Sequence, residues 1–490
     1  MLVHKTAVAL LDVDYNAKNN ISFSELDVRP IWRRFAHDLL ANDINLVFLK
    51  ANKNGDVYLS NEFEFILIHI DNYIPEWFYE FIEGIKLKYP STKIFFCGFL
   101  PSIAKDKINS AFPNVEVIEG PLEKSLSVFL SIVTQKKEYI SPDINNYHYL
   151  KCTDKYSDNN TFALFPGSYS SVQASAGCPM ACSFCRFSSF YRMYLPLSYY
   201  QFPIEYTLQE IEEKYKKYNI KHFKFADSNF LGTKKTALQR AVRLNEEINK
   251  RGLNISFEIH CRSDLINEEV LQNLVSAGLR HLDVGIESMS ESQLKRFSKG
   301  ETPEDHIKVA KLSQSFGITM QGSCILADPL VTRDEMIESL EGLYKISKTV
   351  LLLFNERMIL YNTIPYFRRY GDLIIEKKPI PSFMDGIFDY KFNDPWCDEN
   401  ISLIERTTSY WKKELRALQQ ELLPGLSGID LFNFVKYATR FLVNILLQIV
   451  KTDKPRDDFA KELCNQNIQK LRDHILNSKI NFIFYKGILK

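Results

Sequence analysis

Between residues 171 and 360 six short strand-like runs alternate with amphipathic stretches, and nothing else in the chain limits the fold as tightly. The predicted strands are 171–175, 222–226, 256–261, 281–285, 320–326 and 350–360. The intervals 208–218, 235–251, 267–277, 290–297, 302–316 and 333–347 carry apolar residues at helical spacing. Repetition of this kind predicts parallel pairing, because each crossover helix returns the chain to the same end of the sheet. Six units predict a partial (β/α)6 barrel, whose site lies at the carboxyl ends of its strands.

The start of the chain alternates in the same way, with strands expected at 7–11, 45–49, 65–70, 93–97 and 115–118 and helices at 30–41 and 75–89. That pattern predicts a doubly wound parallel sheet. A polar stretch without period follows, including Lys136-Lys137-Glu138 and Ser157-Asp158-Asn159-Asn160. At the far end, 415–423, 431–449 and 459–476 are apolar and helical in pattern. The expected α/β organisation is a doubly wound domain at 1–135, a linker at 136–165, the barrel at 166–372 and a mostly helical domain at 373–490. A chain of 490 residues is too long for one ordinary core, which agrees with several domains.

Charges are mixed throughout and sum to +1, so neither a basic nucleic-acid surface nor an acidic tail is present. No apolar run approaches the roughly 20 residues that span a bilayer. Met1-Leu2-Val3-His4-Lys5 leads straight into an apolar strand pattern without a signal-peptide layout, and a cytoplasmic protein is expected. Six cysteines stand singly, at Cys97, Cys152, Cys261, Cys324, Cys397 and Cys464. Cys97 and Cys324 lie in apolar runs and read as small core residues.

The other three cysteines are clustered in Gly177-Cys178-Pro179-Met180-Ala181-Cys182-Ser183-Phe184-Cys185-Arg186, spaced C-x3-C-x2-C. Soft thiolates select an iron–sulfur cluster, zinc or Cu(I). A structural zinc site closes with a second ligand pair, and no second C-x2-C or H-x3-5-H follows at that spacing. A cubane cluster takes one ligand per iron, so Cys178, Cys182 and Cys185 would leave one iron open to a small molecule. Cys152 is the nearby candidate for a fourth ligand, which would make the cluster an electron carrier.

The spacing, with Phe184 before the last cysteine, resembles the radical S-adenosylmethionine (SAM) superfamily. The resemblance implies a 4Fe-4S cluster whose free iron chelates the methionine end of SAM. It extends over residues of about 165–370. Phe225-Ala226-Asp227-Ser228-Asn229-Phe230 ends the second strand, where the family holds the SAM amino group, and Asp227 can accept from an ammonium. An N-cap of the next helix is the structural alternative for Asp227. His260-Cys261-Arg262-Ser263-Asp264 offers Arg262 for the SAM carboxylate, with a structural pair to Asp264 or Glu258 as the competing role. Gly285-Ile286-Glu287-Ser288, with Lys299-Gly300 downstream, resembles the family's signature at the fourth strand and implies ribose contacts from Glu287 or Ser288. After the fifth strand, Leu326-Ala327-Asp328-Pro329-Leu330 departs from the family's Gly-x-Pro-x-Glu-Thr and keeps only the proline and an acceptor-rich turn.

In the first domain, Phe96-Cys97-Gly98-Phe99-Leu100-Pro101 and Val117-Ile118-Glu119-Gly120-Pro121-Leu122-Glu123 resemble the last two strand turns of the Rossmann-like cobalamin-binding domains fused to radical SAM enzymes. Gly98 and Gly120 would let the backbone approach the cofactor there. The turn Asp12-Val13-Asp14-Tyr15-Asn16 lacks Asp-x-His-x-x-Gly, so it offers no axial histidine.

The resemblance implies an enzyme that cleaves SAM to a 5′-deoxyadenosyl radical, for cobalamin-dependent methylation of an unactivated carbon. The alternatives are a radical epimerase, dehydratase or rearrangement enzyme with a vestigial first domain, and a non-catalytic iron–sulfur redox protein. A small metabolite or natural-product intermediate is the expected substrate. An electron donor such as flavodoxin or ferredoxin is the expected partner, with neither nucleic acid nor membrane.

Overall fold

The computed structural model describes residues 7–13, 45–48, 63–71, 74, 77–134, 169–380, 386–426 and 428–482. The expected helix at 30–41, the turn Asp14-Tyr15-Asn16, the linker and Cys152 lie outside the described residues.

The first sheet has five parallel strands, β1 Ala7–Val13, β2 Asn45–Phe48, β3 Phe65–Ile70, β4 Lys93–Cys97 and β5 Val115–Ile118, in the order β2-β1-β3-β4-β5. Ile66, Ile68 and Ile70 of β3 pack with helix Trp77–Lys88 on one face, while Phe65 and Leu67 pack with helix Leu122–Thr134 on the other. A parallel strand covered on both faces must be a continuous apolar run, which is why β3 was legible in sequence. The order reverses between β1 and β3, and such a reversal opens a crevice at the carboxyl ends of the strands.

The second sheet begins with β6 Tyr169–Val172, followed by a short antiparallel pair, β7 Ser175–Gly177 and β8 Tyr199–Gln201. Then come β9 His222–Phe225, β10 Ser256–Cys261, β11 Leu279–Glu287, β12 Thr319–Ala327 and β13 Val350–Arg357. The six parallel strands run in chain order, β6-β9-β10-β11-β12-β13, with helices between them, as a partial (β/α)6 barrel requires. Phe223, Phe225, Phe257, Ile259 and Cys261 face the helices and are buried, while His222, Lys224, Glu258 and His260 alternate with them on the other face. The crossover helices start where local chemistry fixes them. Thr302 with Asp305 and Thr332 with Glu335 form reciprocal capping boxes.

The expected strand at 350–360 ends at Arg357, and Leu360–Tyr361 forms a separate strand, β14. It pairs with β16 Ile387–Tyr390, which also pairs with β15 Lys377–Pro379, giving an antiparallel sheet that the helical expectation for this region omitted. Strands of two to four residues carry too little alternation to be read from sequence. Helices Pro395–Leu422, Gly428–Lys451 and Asp457–Phe482 complete the chain. Gly428–Lys451 lies on the barrel's flank, against β13 and helix Arg333–Ile346, with Phe432 on Leu351. Trp411 is buried in the shared core. Among the described residues no helix is long and apolar enough to cross a membrane.

Candidate active site

The cysteine loop leaves β7 at the carboxyl rim of the barrel. Gly177 adopts a positive φ of 76° because a side chain there would land on the Ser198 carbonyl oxygen. The Cys178 N–H donates to that same oxygen at 2.8 Å. Arg192 donates to the Pro179 and Met180 carbonyls at 2.9 and 3.0 Å, which holds the outer turn. Farther along, the Ser183 N–H donates to the Phe297 carbonyl at 2.7 Å and its hydroxyl to the Arg296 carbonyl at 2.8 Å. Phe184 packs edge-on against Phe297 with ring centroids 5.1 Å apart, so the aromatic residue of the motif anchors the loop to the end of the short helix Glu291–Arg296 that follows β11.

Two cations face this loop. Arg262 places Nη1 3.8 Å from Cys182 Sγ, and Lys299 also acts on that thiol. Burial pushes the Cys182 thiol up to about 11, against the pull of Lys299 and Arg262. Cys178 is raised for the same reason. Among the described residues no group of three or more His, Cys, Asp or Glu side chains converges on the position of a single metal ion. Three soft thiol donors stand on one loop, with Arg262 and Lys299 facing them. The donor set and its cationic surroundings therefore fit an anionic iron–sulfur cluster.

Asp227 lies two residues past the end of β9 and caps no helix, since the next helix begins at Ala237 with Thr236 as its cap. Its carboxylate accepts from the Ala174 N–H at 3.1 and 3.3 Å and from the Ser175 hydroxyl. It is thus tied to the segment that leads into the cysteine loop. Arg240 donates to the Ala174 carbonyl at 2.8 Å and stacks over Phe230, putting a buried positive charge near Asp227.

Of the structural roles open to Arg262, pairing with Asp264 is the one present, at 2.9 Å, and Nη2 donates to the Lys299 carbonyl at 2.7 Å. Glu258 pairs with Lys224 instead, at 3.0 Å, because β9 and β10 bring those residues into register. Glu287 sits at a bulge with φ 64°, and its carboxylate turns back over Gly285 to reach Lys299 at 3.5 Å. A Cβ on Gly285 would stand 2.5 Å from Glu287 Oε1 and 2.9 Å from Lys299 Nζ, which is why this motif begins with glycine. Burial pushes the Glu287 carboxyl up while Lys299 pulls it back. Ser288 is fully buried. Its hydroxyl accepts from the Ser290 N–H and donates to Ser339, so it fixes the turn beneath Glu287.

The acceptor-rich turn after β12 is likewise committed. Asp328 is buried and accepts from Arg296, Gln293, the Leu330 N–H and the Tyr366 hydroxyl. Arg296 spans from Asp328 to Glu335, at 2.8–2.9 Å on each side.

Gly98 and Gly120 take positive φ values of 104° and 118° in the turns after β4 and β5. A Cβ at Gly98 would meet Ile70 and His69, and one at Gly120 would meet Lys124 and Tyr194, so protein atoms already cover both positions. A cleft of about 300 Å3 opens beside them. Its walls are His69, Gly98 and Glu123 of the first domain and Arg186, Phe187 and Ser228 of the barrel. Arg186, next to Cys185, stacks over Phe99 and Tyr361 at 4.7 and 5.4 Å. The carboxyl ends of both parallel sheets thus meet in one space. Sequence reading missed His69, whose imidazole lies 3.7 Å from Asp71. It stands near the carboxyl end of the third strand, whereas the family's pattern directs attention to the first.

The Radical SAM superfamily profile matches residues 172–343. The uncharacterized methyltransferase PH0819 of Pyrococcus horikoshii is 32% identical over 165 residues, 34% of each chain. The 4′-phospho-dehydrooxetanocin synthase of Priestia megaterium is 24% identical over 394 residues, covering 70% of this chain and 50% of that one. The chain therefore spans about a third to a half of the length of these curated relatives. A solved structure of the cobalamin-dependent S-adenosylmethionine radical enzyme OxsB, with aqua-cobalamin and SAM bound, gives a TM-score of 0.64 at 17% identity, over 99% of this chain and 82% of that one. At that identity the likeness is one of fold. The matched stretch runs from the end of β6, through the cysteine loop, to helix Arg333–Ile346 and takes in Asp227, Arg262 and Glu287, so the similarity to the radical SAM superfamily covers the residues that build the site.

Proposed function

We propose that this protein is a radical SAM enzyme that methylates an unactivated carbon of a small metabolite or natural-product intermediate with the help of cobalamin. The chemistry such a cluster supplies when bound is one-electron cleavage of SAM to methionine and a 5′-deoxyadenosyl radical, which takes hydrogen from the substrate. Cys178, Cys182 and Cys185 would hold three irons of such a cluster. Arg262 puts its charge beside Cys182, and there it would pair with the SAM carboxylate. Asp227 offers its carboxylate to the SAM ammonium, and Glu287, steadied by Lys299 and by the turn at Ser288, offers acceptors to the ribose.

One observation carries the cobalamin part of the proposal. The cleft at the strand ends of the doubly wound domain, near Gly98 and just after Gly120, is walled on its other side by Arg186, the neighbour of a cluster ligand. A group bound there would lie between the first domain and the site of radical formation. The covered faces of Gly98 and Gly120 favour a second reading, in which the radical acts without cobalamin to epimerise, dehydrate or rearrange its substrate.

The experiment is turnover by protein purified without oxygen, reconstituted with iron, sulfide and cobalamin, and supplied with SAM and a reductant. Stoichiometric corrin with both S-adenosylhomocysteine and 5′-deoxyadenosine formed supports methyl transfer. Formation of 5′-deoxyadenosine without corrin uptake selects the second reading.

A further inference from the structure

Beside Asp227, the lumen face of the barrel holds charged residues that neither the cluster nor the other SAM contacts use. A cavity of about 280 Å3 is lined by Lys224, Asp227, Glu258, His260 and Asp283. Strand register builds it, since Lys224 stands opposite Glu258 and His260 opposite Asp283. Lys224 and Glu258 neutralise one another across 3.0 Å. Asp227 is already satisfied by Ala174 and Ser175, with Arg240 nearby. Asp283 differs, because its Oδ1 is buried and has no hydrogen-bond partner. The imidazole opposite does not balance it, as burial outweighs the Asp283 charge and holds His260 below its ordinary pKa.

A buried acceptor without a donor is costly, and a site built to hydrogen-bond a substrate leaves such a group until the substrate arrives. Resting on the radical SAM reading above, we infer that the barrel lumen binds a hydrophilic substrate that presents an ammonium or hydroxyl donor to Asp283, with His260 beside it. Anionic substrates meet the Asp283 carboxylate with like charge, and long apolar chains would strand it together with the Lys224–Glu258 pair. The substrate class is therefore a cationic or neutral hydroxyl-bearing small molecule, such as an amino sugar or an amino alcohol. A phosphate ester or an isoprenoid does not fit.

The test is saturation-transfer NMR on the full chain without oxygen, with glucosamine, glucose, glucose 6-phosphate and farnesol as probes. Glucosamine is expected to bind best and glucose next, and Asp283→Asn is expected to weaken glucosamine on the order of tenfold. Preference for glucose 6-phosphate or farnesol overturns the inference, as does glucosamine binding that Asp283→Asn leaves unchanged. The wild-type ranking decides the matter even if the variant folds poorly. SAM cleavage in the same samples is scored separately. Its absence counts against the radical reading, while a wrong ranking with cleavage intact counts against the substrate class alone.

Discussion

At the scale of single residues, the site depends on places where a side chain must be absent or uncharged. Gly285 leaves room for Glu287 to fold back onto Lys299. Gly285→Ala is expected to cost about 1–3 kcal/mol and to displace that pair, read as a lower melting point and weaker SAM binding in titration calorimetry. An alanine variant with unchanged SAM affinity would remove Glu287 from the SAM contacts. His306 behaves in a related way. Its Nδ1 bonds to the Ser263 hydroxyl at 2.7 Å, its Nε2 finds no partner, and burial depresses its pKa from 6.5 to about 3. The unfolded chain takes up a proton as pH falls below about 6.5 and the folded chain does not, so stability declines from there toward pH 3 and then levels. His306→Gln is expected to make that decline shallower by about one proton in denaturant titrations between those limits. An identical slope in the variant would show that His306 titrates normally when folded.

At the scale of elements, the strands that were legible are those buried by helices on one or both faces. The strands Lys93–Cys97 and Ser256–Cys261 fall at the expected residues, because an apolar run in one and strict alternation in the other leave little choice. The hairpin of β7 and β8 and the sheet of β14, β16 and β15 were not legible, since strands this short are set by tertiary contacts. The site divides in the same way. Cys178, Cys182 and Cys185 are local in sequence and needed no fold to be seen. The lumen group comes from three strands, and its only trace is a polar residue at every second position of β9 and β10 and at His281 and Asp283 of β11. Likewise, sequence offered Arg262 both Asp264 and Glu258, and strand register gave Glu258 to Lys224. The hub at Asp328 joins β12, the helix bearing Arg296 and the segment bearing Tyr366. Asp328→Ala leaves Arg296 with Glu335 alone and strands several buried donors, for an expected loss of about 3–5 kcal/mol in urea unfolding. A loss below about 1 kcal/mol would show that the hub holds nothing together.

At the scale of the whole molecule, the two parallel sheets are joined through the helix that follows the cluster motif. Phe99 leaves the first domain to pack on Phe190 and Tyr361, Glu123 accepts from the Tyr191 hydroxyl at 2.7 Å, and the Ser102 carbonyl accepts from Tyr194. Phe99→Ala is expected to cost about 3 kcal/mol at this junction and to split a single calorimetric unfolding transition into two. One unshifted transition would mean that the domains are coupled elsewhere. The junction gives the fold its functional sense, since it sets the cleft of the first domain against the ligand loop of the second. A cluster with three protein thiolates and one iron open to SAM is the centre of the proposed chemistry. The most direct measurement is the electron paramagnetic resonance spectrum of the reduced, reconstituted protein with and without SAM. A spectrum that shifts on adding SAM, and is lost in variants with Cys178, Cys182 or Cys185 replaced by alanine, is the predicted result. A cluster signal that excess SAM leaves unchanged would contradict it.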